Sequence, residues 1–218
     1  MARLSEKTTA GEIMKILKIK FKPNKKSADI LFDDGDVLNF SSETILKYSL
    51  YENYEINEQK RDAIQFESER GKAVERALNW LSKGYRSEKE LERYLRERKY
   101  NKEIQTFVRD KLKEYNFIND ETLAKTYVEY SQKKMGKFQI KQKLYQKGIS
   151  KALIDESINS LEGQDDVCYN LAVKKLGVRE KTPDEIAKLS RYLSSKGFEW
   201  EVVSRALRKL KCDVEELI

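Results

Sequence analysis

The sequence predicts a mainly α-helical fold of three tandem three-helix repeats in an elongated curved array, preceded by a small N-terminal antiparallel β module and a linking helix. Three observations carry this. Charged residues make up 37% of the 218 against nine glycines and two prolines, a balance that favours long solvated helices over a sandwich or a disordered tail. From about residue 72 the apolar positions recur with a 49-residue period. The stretch before residue 41 shows β-branched alternation instead of helical spacing.

Ile16–Lys22 is β-branched, partly alternating and stopped by Pro23-Asn24, so it reads as a strand. Ser27–Phe32 reads as a second, the Asp33-Asp34-Gly35-Asp36 cluster as a turn, and Val37–Phe40 as a third. Ser41 or Ser42 caps a short helix to about Leu50, and Asn57 caps a longer one running toward Ser82. The expected division is a β-rich module with its short helix at 1–56, a helical link at 57–71, and three-helix repeats at 72–118, 119–164 and 165–218.

Adding 49 to an apolar position of the first unit finds an apolar partner in the others. Leu78 falls on Tyr127 and Leu176, Leu91 on Ile140 and Leu189, and Leu95 on Leu144 and Leu193. Tyr100 falls on Ile149 and Phe198, Ile104 on Leu153 and Val202, and Leu112 on Leu161 and Leu210. Gly148 and Gly197 share a column with Lys99, where a helix C-terminus in left-handed conformation suits glycine. The amphipathic segments are 72–83, 86–99 and 101–114, then 120–134, 137–148 and 150–162, then 165–177, 183–197 and 199–212. Ser87, Asn101, Asn119-Asp120, Ser150 and Thr182-Pro183 mark their starts. A helix of about twelve residues is marginal alone in water and must bury its apolar stripe against neighbours. Laid in single file, three such units reach on the order of 80 Å. The alternative is one compact nine-helix globule.

Histidine is absent, which removes the commonest general base, the serine and cysteine triads that depend on it, and the commonest metal ligand. Cys168 and Cys212 form no C-x-x-C pair, and no phosphate-binding glycine string is present. Carboxylates alternate with Lys and Arg at helical spacings, as solvated ion-paired faces do. The expectation is therefore no catalytic residue, no cofactor and no metal, in a protein that is not an enzyme. Apolar runs are too short to cross a bilayer, and no secretory signal is read at the start, so the expected home is a reducing cytoplasm, without membrane contact.

The net charge of +7 and pI near 9.1 favour an acidic partner, and the excess is centred on the middle of the chain. Between Lys133 and Lys151 there is no Asp or Glu, while Lys133, Lys134, Lys137, Lys141, Lys143 and Lys147 interleave with Tyr130, Phe138 and Tyr145. A second cluster, Arg86, Arg93, Arg96, Arg98 and Lys99, lies on the equivalent segment of the first repeat. These eleven basic residues are the candidate partner or DNA contacts, because lysines among aromatic rings suit a phosphate backbone or an acidic protein groove. The competing reading is a soluble helix face that happens to be lysine-rich. The lysines of residues 15–26 read as protection for a strand edge. Trp80, Tyr85, Tyr94, Tyr127 and Phe198 read as core.

Taken together, residues 72–210 resemble the RecX family. The carriers are A-L-N-W-L-S-K-G-Y-R-S-E-K-E-L from Ala77 to Leu91, and Phe117-Ile118-Asn119-Asp120 with Ala124, Tyr127 and Val128. They continue with Gly136, Ile140, Leu144 and Lys147-Gly148-Ile149, and close with Tyr192-Leu193 and Lys196-Gly197-Phe198. Leu123 stands where the family has an aromatic, and Gln132-Lys133 where it has an arginine. The resemblance implies a monomeric, non-catalytic regulator that binds the RecA filament on single-stranded DNA and inhibits its recombinase and ATPase activity, with double-stranded DNA as a further candidate partner. The competing readings are a DNA-binding helical repeat protein acting without RecA, a carboxylate-based metallohydrolase, and a helical scaffold unrelated to DNA.

Overall fold

The computed structural model describes residues 12–159 and 161–212. Among the described residues there are four strands and ten helices: β1 (Ile13–Phe21), β2 (Ser27–Phe32), β3 (Val37–Ser41), α1 (Ser42–Lys47), β4 (Glu55–Asn57) and α2 (Glu58–Leu81) come first. Then follow α3 (Glu88–Glu97), α4 (Lys102–Glu114), α5 (Asp120–Ser131), α6 (Lys137–Lys147), α7 (Lys151–Asn159), α8 (Gln164–Leu176), α9 (Pro183–Ser195) and α10 (Trp200–Cys212). Two compact units result. The first takes the chain up to Lys83 with Leu95–Leu112; the second takes Gly84–Tyr94 and the chain from Lys113.

In the first unit the strands form one antiparallel sheet in the order β3-β2-β1-β4. The turn signals and the alternation foretell three of them. The fourth, three residues long, pairs only with Ile13–Lys15 and has too little pattern to be read. The alternation in β2 turns Ala28, Ile30 and Phe32 inward, where they meet Ile16, Phe40, Ile45 and Ile64. Asn57 caps α2 through the Lys60 N–H, as its position suggests. The helix so capped runs unbroken for 24 residues and ends at Ser82, as the sequence suggests. Its buried Arg61 holds the β2–β3 turn by Asp34 (3.2 Å) and Asp36 (3.3 Å), and Ser68 accepts the Ser41 N–H at 2.7 Å. Lys72 donates to the Asn39 side chain at 2.7 Å. Sheet and helix are thus fastened at three levels.

The second and third repeats lie in the second unit, each with its own core. Leu123, Ala124, Val128, Ile140, Leu144, Ile149, Ile154 and Ile158 close one; Cys168, Ala172, Leu176, Leu189, Leu193, Phe198 and the inward face of α10 close the other. Burying stripes of this size stabilises each bundle by roughly 1.5–3 kcal/mol per large side chain, before the entropy cost. None of the residues in the six 49-spaced columns is exposed, and the Leu91/Ile140/Leu189 and Leu95/Leu144/Leu193 columns are buried throughout.

The second helices of successive repeats meet end to end. Ser87, just ahead of α3, donates its hydroxyl to the Lys147 carbonyl at the end of α6. One period later the Gly136 N–H donates to the Lys196 carbonyl at 2.8 Å and Phe138 N–H to the Gly197 carbonyl at 3.0 Å. A hydroxyl at the N-terminus of α3 and backbone N–H groups at that of α6 thereby cap the C-terminal carbonyls of the next helix, an alignment the helix dipoles also favour. The approach is backbone to backbone: a Cβ on Gly136 would lie 2.3 Å from the Gly197 carbonyl carbon.

A candidate basic interface on the second repeat

α6 places the candidate lysines. Gly136 opens it, and Gly148 closes it in left-handed conformation at φ +82. With 3.6 residues per turn, Ile140 and Leu144 share the buried face, and the lysines fall into two flanking pairs, Lys137 with Lys141 and Lys143 with Lys147. Phe138 and Tyr145, seven residues apart, point outward and are 69% and 43% exposed. Just before α6, Lys134 sits 4.3 Å from the centre of the Tyr130 ring and donates to its hydroxyl at 2.9 Å. That contact lowers the pKa of the Tyr130 phenol below its ordinary value.

Of the eleven candidates, Arg86, Lys141 and Lys147 have acidic partners within the chain. Lys147 (3.2 Å) and Arg86 (3.9 Å) converge on the Glu90 carboxylate, which also accepts the Ser87 N–H at 2.9 Å. These two cations therefore hold the first repeat to the second, with Glu90 as the counterion that the local charge pattern did not single out. Lys141 reaches Asp155 at 2.6 Å, a solvent-screened surface pair that holds the Asp155 carboxyl below its ordinary pKa and leaves the lysine available to a stronger anion. Lys133, Lys134, Lys137 and Lys143 are exposed, and Lys137 and Lys143 make no ion pair among the described residues. In the first repeat, Arg93, Arg96, Arg98 and Lys99 are exposed on or just after α3.

The ring assignments hold for Tyr94 and Phe198, which are buried, and for the half-buried Trp80 and Tyr127. Tyr85 departs from its expected place in the core: it is 75% exposed. It belongs to the connection between α2 and α3, so no helix stripe turns it inward; the Lys83-Gly84 pair before it was the available signal. Among the described residues no group of three metal-ligating side chains gathers, and no helix is long and apolar enough to cross a membrane.

Comparison with known proteins decides the family. Models of the first, second and third three-helix domains of RecX match residues 73–112, 119–158 and 162–207.

The chain belongs to the RecX family.

Regulatory protein RecX of Clostridium beijerinckii is 34% identical over 210 residues, covering 93% of this chain and 99% of that protein. Its counterpart in Clostridioides difficile is 34% identical over 195 residues, covering 87% of this chain and 92% of the relative. A crystal structure of regulatory protein RecX superposes with a TM-score of 0.63 at 25% identity, over 88% of this chain and 97% of that one. That of RecX from Lactobacillus salivarius gives 0.59 at 25% identity, over 66% and 97%. The four RecX segments read from the sequence all lie within the matched domains or at their edges.

Proposed function

We propose that this RecX-family chain binds the RecA filament on single-stranded DNA and inhibits its recombinase and ATPase activity, so restraining recombination and repair, in the cytoplasm and as a non-enzymatic monomer. The observation that carries the reading is the outward face of α6, where Lys137 and Lys141 flank the exposed Phe138 and Tyr145 over a stretch without a single acid. Lysines neutralise phosphate or carboxylate, and exposed rings offer area that water solvates poorly, so the combination suits a DNA-bearing, acidic surface. An interface of about 800 Å² per partner is of standard size, and contact with neighbouring filament subunits would add avidity.

The test is RecA ATPase on single-stranded DNA with this protein titrated below the RecA concentration. Inhibition is expected, and Lys137→Glu with Lys141→Glu should weaken it at least about tenfold while leaving the helical circular dichroism intact, since several charge contacts are reversed at once. Unchanged inhibition by that variant would make this face a solubilising one. Tight, steeply salt-dependent DNA binding without any effect on RecA would instead favour the DNA-binding repeat protein that acts alone.

A further inference from the structure

We infer that the two ends of the helix series α9–α6–α3 are surfaces complementary to a second copy of this chain, and that Lys99 and the first turn of α9 hold them shut. The series is built from one junction used twice. At each, a residue at the start of one second helix, Ser87 or Gly136, donates to the carbonyl of a lysine, Lys147 or Lys196, that ends the next. The residue after that lysine is glycine, Gly148 or Gly197, at φ +82 and +83. Its bareness is what lets the helices meet: a Cβ on Gly148 would lie 2.5 Å from the Lys89 Cβ, and one on Gly197 2.3 Å from the Gln139 nitrogen. A junction of this kind is heterologous, so nothing in its chemistry limits it to two uses, and a free end of each sort invites a further copy.

Both columns change at the ends of the series. One period before Gly148 stands Lys99, with the same left-handed backbone at φ +60. The closing bond is also the same: Tyr100 N–H to the Leu95 carbonyl, Ile149 to Leu144 and Phe198 to Leu193, at 3.3, 3.1 and 3.4 Å. Lysine is a poor choice for that conformation, and its side chain fills the space where the other two junctions admit no Cβ. One period after Gly136 stands Glu185. The third repeat starts its helix earlier, at Pro183 behind the Thr182 cap, so Glu185 is already in the first turn beside Asp184. Arg179 at 2.9 Å and Lys188 at 2.7 Å hold the Glu185 carboxylate. An extra acidic turn obstructs the seat and repels the carbonyl end of an incoming helix. Terminal repeats of stacked arrays need such stops to remain soluble.

The experiment reverses the stops. Lys99→Gly combined with Pro183→Gly, Asp184→Gly and Glu185→Ser should give a folded protein whose weight-average mass in sedimentation equilibrium rises with concentration, roughly doubling at the upper end, while the parent keeps one mass. A folded combined variant that keeps one mass would overturn the inference, as would a parent that already associates. A second measurement places the stop inside the series. Gly197→Lys should speed amide exchange at Gly136 and Phe138, whose N–H groups cross that junction, by roughly tenfold or more while α5 amides stay protected. Retained protection at those two amides would show that lysine does not exclude a neighbour there, and the inference would fall.

Discussion

Asp120 sits half-buried with its Oδ1 accepting the Glu88 N–H at 2.9 Å, and burial pushes its pKa above the ordinary carboxylate value. A carboxyl raised on folding contributes stability that is full below its unfolded pKa and is lost as pH rises through its folded one. Asp120→Asn keeps the acceptor and buries no charge, so it should match or exceed the parent in urea at pH 7, the two converging toward about pH 3.9. Asp120→Ala loses the acceptor and should cost about 1 kcal/mol. An asparagine variant as weak as the alanine one would mean that the charge itself is needed. Cys168 is fully buried, and its thiol is pushed up to about 11, chiefly by burial. It should resist alkylation at pH 8 in the folded protein and react once urea unfolds the third repeat; rapid labelling under native conditions would contradict its packing. Single residues were legible where they act locally: Asn57, Ser87, Asn119 and Thr182 each cap the helix they precede. Glu90 and Asp120 were not, because their partners at Lys147 and Glu88 are far away in the chain.

The second helices of the three repeats follow the 49-residue period closely, with the Leu91 and Leu95 columns buried throughout, whereas the third helices follow it less strictly: in the second repeat Ile154 and Ile158 are buried and the predicted Leu153 and Leu161 are half-buried. The first helices do not follow it. Their buried pairs are Ala73/Ala77, Ala124/Val128 and Ala172/Leu176, offset by 51 and then 48, so Leu78 and Tyr127 end half-buried. A helix that enters its bundle after a connection of variable length can shift register without losing its stripe, and a fixed period cannot see this. The junctions were equally hidden, since Gly136 differs from any helix-capping glycine only in what a distant segment brings against it. Leu144→Ala, at the centre of the second core, should cost about 2–5 kcal/mol. Gly136→Ala should cost at least about 1–3 kcal/mol for overpacking although it leaves the core intact. Urea midpoints measure both, and a Gly136→Ala protein as stable as the parent would mean that the end-to-end contact yields without resistance.

For the whole chain, a charge of +7 is a modest bias, and much of it is engaged: Arg61, Arg86, Lys113, Lys141 and Lys147 all have acidic partners. Composition therefore overstates the free cationic surface, of which the exposed Lys133, Lys134, Lys137 and Lys143 around α6 are one part. If that face meets a polyanion, affinity for RecA on single-stranded DNA should fall steeply between 50 and 200 mM salt, by about 10-fold or more, and the Lys137→Glu, Lys141→Glu variant should flatten the slope. A slope that the variant leaves unchanged would place the contact elsewhere.

The unbroken run of α2 from beneath the sheet into the first repeat has a consequence for tolerated variation. Arg61, Ser68 and Lys72 grip the strands from the same rod that offers Ala73 and Ala77 to the bundle. Adding or deleting one residue between the two sets would turn one of them by about 100°, so length changes there should survive only near whole turns. The helix acts as a keyed shaft: the sequence along it is free to drift, but its phase is not.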